Sequence, residues 1–348
     1  MKKIALVLAL VMVLSVFAGC GKKDDTTTKT EDGKTVIEKL NVAFVPSRDP
    51  DEIVTATEPL KDILKNQLAK RGFEVKEVNI TVGTSYEAVG EAMSAGTVDV
   101  GFIPGGTYVL YDDSAEVILT ATRKGVSVES TDPKEWNDNK PTTKTDEQVT
   151  FYRSLFIAGP SEKGRAVAAK VNAGEKLTWE DMNSLNWSVM GSSSSSGYIY
   201  PYLYLRAEYG KAITDLANVV QADSYGSSMA RLASEQVDVL VCYADARMDN
   251  VEKWTSEFGR TESIWDETNV IAVTDKVYND TISVSKNSSI MSDEFKKALT
   301  EAFIEIGEST EGKEVIKIYN HDGYQKAKPS DYDSEREAQK LLRELKEK

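Results

Sequence analysis

Histidine and cysteine are nearly absent: the 348 residues hold one histidine, His321, and two cysteines, Cys20 and Cys242. That scarcity all but excludes a histidine-dependent catalytic triad and a Cys/His metal cage. Positive charge is short as well. Lys and Arg number 42 against 56 Asp and Glu, a formal charge of −14, so no broad basic surface exists to hold nucleic acid. The only long apolar run, residues 4–17, falls short of the ~20 residues that span a bilayer. What is present is a globular composition. Apolar residues make up 41% and charged residues 28%, which rules out a wholly disordered chain. Against ~100–200 residues per domain, the length predicts two domains or one large two-lobed unit.

The N-terminus reads Met1-Lys2-Lys3, then the apolar run, then Ala18-Gly19-Cys20. A basic end, an apolar stretch and small residues before a cut site make a secretory signal over residues 1–19. The small pair before Cys20 resembles the bacterial lipoprotein lipobox, with Phe17 where leucine is commoner. That resemblance implies a diacylglycerol on Cys20 and a chain held at the cell membrane, lipid-anchored on its extracytoplasmic face. A plain secretory signal with an incidental cysteine is the alternative. With one further thiol, Cys242, no intrachain disulfide is available to the mature chain. Residues 20–39 read as a lipidated, flexible tether, its polar stretch 21–34 having nothing to bury.

From Leu40 onward the pattern is strand, helix, strand, helix, strand, the grammar of an α/β sheet. Residues 42–45 form the first strand. Thr57 caps a helix with Pro59 in its first turn, Leu60, Ile63, Leu64 and Leu68 share one face, and Gly72 stops it. A strand over 73–80, a helix over 86–95 and a strand over 98–103 follow. The second half repeats the plan with strands over 187–190, 218–222 and 237–242 and helices over 198–209 and 226–235. One local match links the halves: Ser85-Tyr86 precedes Val98-Asp99-Val100, and Ser224-Tyr225 precedes Val237-Asp238-Val239. Tyr86 to Asp99 and Tyr225 to Asp238 are both separations of 13. Each tyrosine then opens a helix beyond a strand's carboxyl end, where α/β sheets place their ligands. Residues 130–150 read as an exposed loop. A strand over 151–158 crosses between lobes, and residues 270–273 and 282–284 make the return, so lobe 1 takes 40–150 plus 270–348 and lobe 2 takes 151–269. The tail from Ser334 is an amphipathic helix packed on the surface, with Leu341, Leu342 and Leu345 on one side.

Gly191 is followed by five serines, Ser192 to Ser196, and then Gly197. Such a run is commonly a linker, but this one lies between an apolar strand and an aromatic helix, where connections are ~2–6 residues. Backbone N–H groups at a helix N-terminus with hydroxyls beside them make an anion site. A plain capping loop is the alternative. A serine nucleophile is a weaker third, because Gly-x-Ser-x-Gly does not occur and His321 sits in a tail segment rich in Lys, Tyr and Asp. Arg48, just beyond the first strand, either reaches the anion bidentately or pairs with Asp49 or Asp51. The alternating tyrosines 198, 200, 202 and 204 are mostly packing, since residues two apart on a helix face different ways.

Over residues 40–320 these features resemble the phosphate/phosphite/phosphonate-binding protein family of ABC importers. Ser194-Ser195-Ser196-Gly197 matches the family's Ser-Thr-Ser-Gly element, whose hydroxyls and helix amides hold the phosphonyl oxygens. Tyr86 matches a tyrosine that donates to the same oxygens from the other lobe. Asn279-Asp280 matches a Gly-Asp carboxylate on the ligand's far side, and Asp245 a glutamate that helps bind an aminoalkylphosphonate's amino group. Two positions depart. Phe102-Ile103-Pro104-Gly105-Gly106-Thr107 stands where a second ligand tyrosine is expected, leaving the glycine amides and Thr107 hydroxyl to replace it. Tyr225 stands where the aminophosphonate binder has histidine. Both departures point away from 2-aminoethylphosphonate and toward phosphate, phosphite or a small alkylphosphonate.

The resemblance implies a two-lobed type II periplasmic-binding-protein fold, each lobe a mixed α/β sheet flanked by helices, with the ligand between. It implies a monomer that closes on its ligand, makes or breaks no bond, needs no cofactor or metal, and serves an ABC permease and its ATPase. A sulfonate or other small-solute binder, a receptor-linked sensor and a serine-type lipoprotein hydrolase are the rival readings.

Overall fold

The computed structural model describes residues 29–346; the signal segment and residues 20–28 of the tether, Cys20 included, lie outside them. The expected tether ends early, because Thr35 to Lys39 already pair in the first strand with Ile37 buried. The chain builds two sheets. Lobe 1 contains β1 (Thr35–Phe44), β2 (Phe73–Val82), β3 (Val100–Ile103), β4 (Ala115–Val126), β5 (Lys144–Val149), β11 (Thr281–Ser285) and β12 (Gly323–Lys326). Lobe 2 contains β6 (Phe151–Ala158), β7 (Asn186–Val189), β8 (Asn218–Gln221), β9 (Val239–Tyr243) and β10 (Asn269–Tyr278). The first sheet runs β12-β4-β11-β3-β1-β2 with β5 beside β4, and the second β10-β6-β9-β7-β8.

The two halves share a plan down to single hydrogen bonds. In each, three parallel strands, β2-β1-β3 or β8-β7-β9, are followed by an antiparallel neighbour, β11 or β6. Asp99 and Asp238, from the two Val-Asp-Val runs, are buried at matching places. Asp99 accepts from the Asn41 amide at 2.7 Å and the Ser288 hydroxyl at 2.6 Å. Asp238 accepts from the Asn186 amide at 2.7 Å and the Ser161 hydroxyl at 2.6 Å. A carboxylate with both oxygens satisfied is tolerated in a core, and each pins the central parallel strand to its neighbour, at Asn41 within β1 and at Asn186 where β7 begins.

The lobes meet at two adjacent crossings. β5 passes into β6 at Thr150, and β10 returns toward β11 at Asn279. Asn279 N–H donates to the Thr150 carbonyl at 2.9 Å, and its side-chain amide donates to Ala121 and Val149. This moves the expected boundary. Residues 270–278 stay in lobe 2, because β10 pairs antiparallel with β6 along its length.

Three local expectations change. Thr57 caps nothing: Asp49 and Pro50 start an earlier helix, Pro50–Thr57, and the Thr57 hydroxyl is spent on the Ile53 carbonyl at 2.7 Å. The following helix, Leu60–Ala69, has no side-chain cap. Residues 130–150 are no loop. Trp136 is fully buried on a short helix, Pro133–Asp138, and Asn137 bonds both backbone groups of Val270 as a strand would. β5 is exposed along its side chains and held by its ladder to β4, which composition alone does not reveal. The last helix, Asp333–Lys346, buries Leu342 and Ala338 while Leu341 faces solvent. It packs on both lobes: Arg336 donates to Asp112 of lobe 1 at 3.0 Å, Tyr200 of lobe 2 donates to Glu335, and Gln339 donates to the lobe 2 Ser192 carbonyl at 3.0 Å.

Candidate functional site

The matched Ser-Tyr pairs place two phenols at one cavity. Ser85 and Ser224 are helix N-caps, their hydroxyls accepting from the amides of Ala88 and Ser227. Tyr86 and Tyr225 are therefore the first helical residues, buried, at the carboxyl ends of parallel strands in opposite lobes. Tyr225 hydroxyl lies 2.8 Å from Ser196 Oγ and 3.1 Å from Ser194 Oγ.

The serine run is ordered and buried from Ser193 to Gly197. It leaves β7, turns, and enters a π-helical turn, Ser195–Ile199, before the helix Tyr200–Tyr209. Ser194 caps that turn, its Oγ accepting from Gly197 N–H at 3.2 Å. The first amides of the turn, those of Ser195 and Ser196, have no carbonyl within it to donate to. Gly197 is obligatory here, because a Cβ would lie 2.3 Å from Met190 Cγ. Its role is to shape the loop, and its amide is already taken by Ser194.

Ser194, Ser195 and Ser196 share the cavity with Val45, Ser47, Arg48, Tyr86, Pro104, Arg123, Tyr152, Tyr225, Tyr243, Asp280, Tyr319 and Asn320. Its volume is about 40 Å³, against ~10–15 Å³ for one water molecule on the same measure. It holds a group of a few heavy atoms. Burial raises the pKa of all five phenols, Tyr86, Tyr152, Tyr225, Tyr243 and Tyr319, so each keeps its proton at neutral pH.

The charges are balanced in pairs. Arg48 Nη2 meets Asp249 Oδ2 at 2.6 Å across the lobes, not Asp49 or Asp51. Arg123 Nη1 meets Asp245 Oδ2 at 2.8 Å, and its guanidinium lies 4.2 Å from the Tyr152 ring centre. Lys144 also pairs with Asp245. Asp280 directly follows the hinge residue Asn279 and is the one carboxylate lining the cavity. Behind it, His321 Nε2 stands 3.6 Å from Asp280 Oδ2. Burial, the largest influence, pulls the imidazole below its usual pKa while Asp280 pulls it up, leaving it neutral near pH 7. His321 does not line the cavity, so no imidazole base faces the serines.

Of the residues singled out in the sequence, seven line the cavity: Arg48, Tyr86, Ser194, Ser195, Ser196, Tyr225 and Asp280. Two others are engaged elsewhere. Asp245 is fully buried and held by Arg123 and Lys144, so it faces a guanidinium and not a ligand. Thr107 is fully buried, its hydroxyl donating to the Ser193 carbonyl at 3.3 Å, and the Gly106 amide donates to Ser195 Oγ at 3.0 Å. The Gly105-Gly106-Thr107 segment thus docks the serine loop and replaces no ligand phenol. Tyr152, Tyr243 and Tyr319 bring the extra phenols, with Arg123 beside them. Arg123 carried a legible signal: a charge continuing the buried run from Val117 to Thr122 must have a partner. Tyr243, Tyr319 and Asn320 gave none, since only the tertiary fold brings strand ends from both halves together.

Two sheets joined at a double crossing, with a polar cavity between them at their strand ends, define a two-lobed periplasmic binding protein of type II. A sequence profile of the ABC transporter phosphonate periplasmic substrate-binding protein family matches residues 42–332, and the chain belongs to that family. Its members are substrate-binding transport proteins and not enzymes. Solved structures with the same fold include a binding protein component of an ABC phosphonate transporter from Pseudomonas aeruginosa, 17% identical with a TM-score of 0.62 over 83% of this chain and 82% of that one. PhnD1 from Prochlorococcus marinus in complex with methylphosphonate is 15% identical with a TM-score of 0.63 over 88% and 98%. A Xanthomonas citri protein bound to ATP is 13% identical with a TM-score of 0.62 over 89% and 99%. Among the described residues no helix is long and apolar enough to cross a membrane, and no cluster of His, Cys, Asp and Glu could hold a metal ion.

Proposed function

We propose that this chain captures a small phosphorus oxyanion, either phosphate, phosphite or a short alkylphosphonate such as methylphosphonate, and closes its lobes around it for delivery to an ABC permease. The observation that carries this reading is the cavity itself: about 40 Å³ ringed by protonated phenols, four serines and two guanidinium groups. Its size suits the methylphosphonate held by the Prochlorococcus relative and is too small for the ATP held by the Xanthomonas one. Arg48 is paired with Asp249, Arg123 and Lys144 share Asp245, and Asp280 adds a third carboxylate, so the site offers no excess positive charge. Such a balance favours a monoanion, held by neutral donors and presenting one hydrogen or a small substituent to Asp280. The bound ligand would meet Ser194, Ser195, Ser196, Tyr86 and Tyr225 as oxygen donors, and Arg48 and Arg123 as charged ones.

Calorimetry on single alanine variants tests the assignment. Ser194→Ala, Ser195→Ala and Ser196→Ala each remove a hydroxyl worth ~1.5–3 kcal/mol to a charged oxygen, and each should weaken binding about ten- to a hundred-fold. Ser192→Ala, whose side chain is outside the cavity lining, should bind like the parent. Four variants that all bind like the parent would displace the ligand from this loop.

The chain also acts, in this reading, as a monomeric lipoprotein tethered through Cys20 on the extracytoplasmic face. Acyl chains contribute ~0.8 kcal/mol per buried CH₂, which makes two or three of them a stable anchor. Metabolic labelling with palmitate in a bacterial host should mark the parent and leave Cys20→Ala unlabelled. Label on the variant contradicts the anchor.

A further inference from the structure

One oxygen atom gathers donors from both lobes. Asp249 Oδ2, at the end of a short lobe 2 helix, accepts from Arg48 Nη2 at 2.6 Å, from Asn320 Nδ2 at 2.7 Å and from the Tyr243 hydroxyl at 2.9 Å. Arg48 and Asn320 belong to lobe 1, whereas Tyr243 ends β9 in lobe 2. All three donors line the ligand cavity, and Asp249 itself stands just behind them, facing the cleft mouth. Burial works to raise its pKa, but the Arg48 charge and the three hydrogen bonds outweigh that and hold the carboxyl below its usual range. It is therefore a full negative charge, largely withdrawn from water, whose satisfaction depends on the lobes being together.

We propose that Asp249 is the closure latch of this protein: a positioning residue that holds the cleft shut in a measurable share of ligand-free molecules and aims Arg48 at the cavity. This deepens the binding function proposed above and rests on it for the ligand. Opening the lobes would take Arg48 and Asn320 away from Asp249 and hand the carboxylate to Tyr243 and water. Closing them restores two charge-assisted or polar contacts at once and fixes the guanidinium plane. A second pair spans the same mouth, Lys253 with Glu52, but its side chains are 33% and 43% exposed against 18% and 16% for Arg48 and Asp249. Exposed pairs contribute little, so Lys253 with Glu52 serves as the comparison and not as the latch.

A latch that acts before the ligand arrives shifts a population, which a ligand then selects. It must also slow release more than it slows capture, because the site is entered open and left only after the latch breaks. Neither property follows from a residue that merely supports lobe 2.

The test uses Cys20→Ala protein spin-labelled at Asp51→Cys and Glu257→Cys, exposed positions in lobe 1 beside Glu52 and in lobe 2 at the mouth, with Cys242 buried and unreactive. Electron–electron distance measurements on ligand-free protein should reveal a short-distance population in the parent, depleted several-fold in Asp249→Asn and partly restored in Asp249→Glu. Lys253→Met should keep the parent's distribution. Stopped-flow binding of phosphate, phosphite and methylphosphonate should then give Asp249→Asn an off-rate ten- to a hundred-fold higher, an on-rate within about three-fold of the parent, and an unchanged ranking of ligands. A ligand-free parent without the short population, or an Asp249→Asn variant with the parent's distances and off-rates, overturns the latch. If no panel ligand binds even the parent, the ligand assignment fails, and the distance measurement still decides the latch. Thermal unfolding of ligand-free protein separates a variant that has simply lost its fold, and Asp249→Glu then carries the comparison.

Discussion

Asp280 stands alone as a carboxylate lining a cavity otherwise built to donate, and its charge works against an anion. Its neighbour His321 is neutral and does not cancel that charge. A ligand that offers a hydrogen toward Asp280 turns repulsion into a charge-assisted hydrogen bond. Phosphoryl groups have a second pKa of ~6 and carry such a proton in part near neutral pH. Sulfate carries none and leaves two unpaired negative charges in a closed cleft, a cost of several kcal/mol. Asp280→Asn should therefore raise sulfate affinity while lowering that for the protonated oxyanion, read by competition calorimetry near pH 7. An unchanged ranking in the variant removes Asp280 from the site. At this scale the sequence is informative where a residue's neighbours in the chain decide its place: Ser85 and Ser224 cap the helices that the pattern opens at Tyr86 and Tyr225. Asp245 and Thr107 lie outside the cavity lining, and the sequence does not reveal it because their partners, Arg123, Lys144 and the Ser193 carbonyl, are far along the chain.

Among the elements, the last helix is the least expected. The sequence reads as a surface helix, yet Asp333–Lys346 inserts Glu335 completely into the seam between lobes, against Tyr200 of lobe 2 at 3.1 Å and the Gly105 segment of lobe 1. Charged residues in an amphipathic pattern conceal such burial, since period alone cannot tell which polar residue meets a partner. Burial pushes the Glu335 carboxyl up to about 7. The folded state thus holds a proton that the unfolded chain, with a carboxyl near 4.5, has already released. Stability from this group is intact below pH ~4.5, falls as pH rises, and is lost once pH passes ~7, a change of about 3 kcal/mol. Glu335→Gln stays neutral throughout. It should raise the melting temperature well above the parent's at pH 8 and hardly at all at pH 5. Equal shifts at both values contradict a buried, proton-holding Glu335. The strands show the opposite legibility. Parallel strands β1, β3, β7 and β9 were evident from apolar runs, whereas β5, with exposed side chains, owes its place to backbone pairing with β4.

The whole molecule is two copies of one idea facing each other. Each lobe ends its parallel strands in a serine-capped helix that presents a tyrosine, and the double crossing at Thr150 and Asn279 sets the two tyrosines into one cavity. The doubled Ser-Tyr and Val-Asp-Val spacing made that symmetry legible. The closing contacts, Arg48 with Asp249 and Tyr225 N–H with the Ser47 carbonyl, were not, because they exist only when the lobes meet. The central claim is that this cavity takes a small phosphorus oxyanion. Titration calorimetry tests it directly, on protein unfolded and refolded to strip carried-over ligand, with phosphate, phosphite, methylphosphonate, sulfate and ATP near pH 7. At least one of the first three should bind one per chain with a Kd of about 1 μM or lower, while sulfate and ATP give no saturable heat. Saturable binding of sulfate or ATP tighter than every phosphorus oxyanion on the panel, or no binding of any of the three, would contradict it.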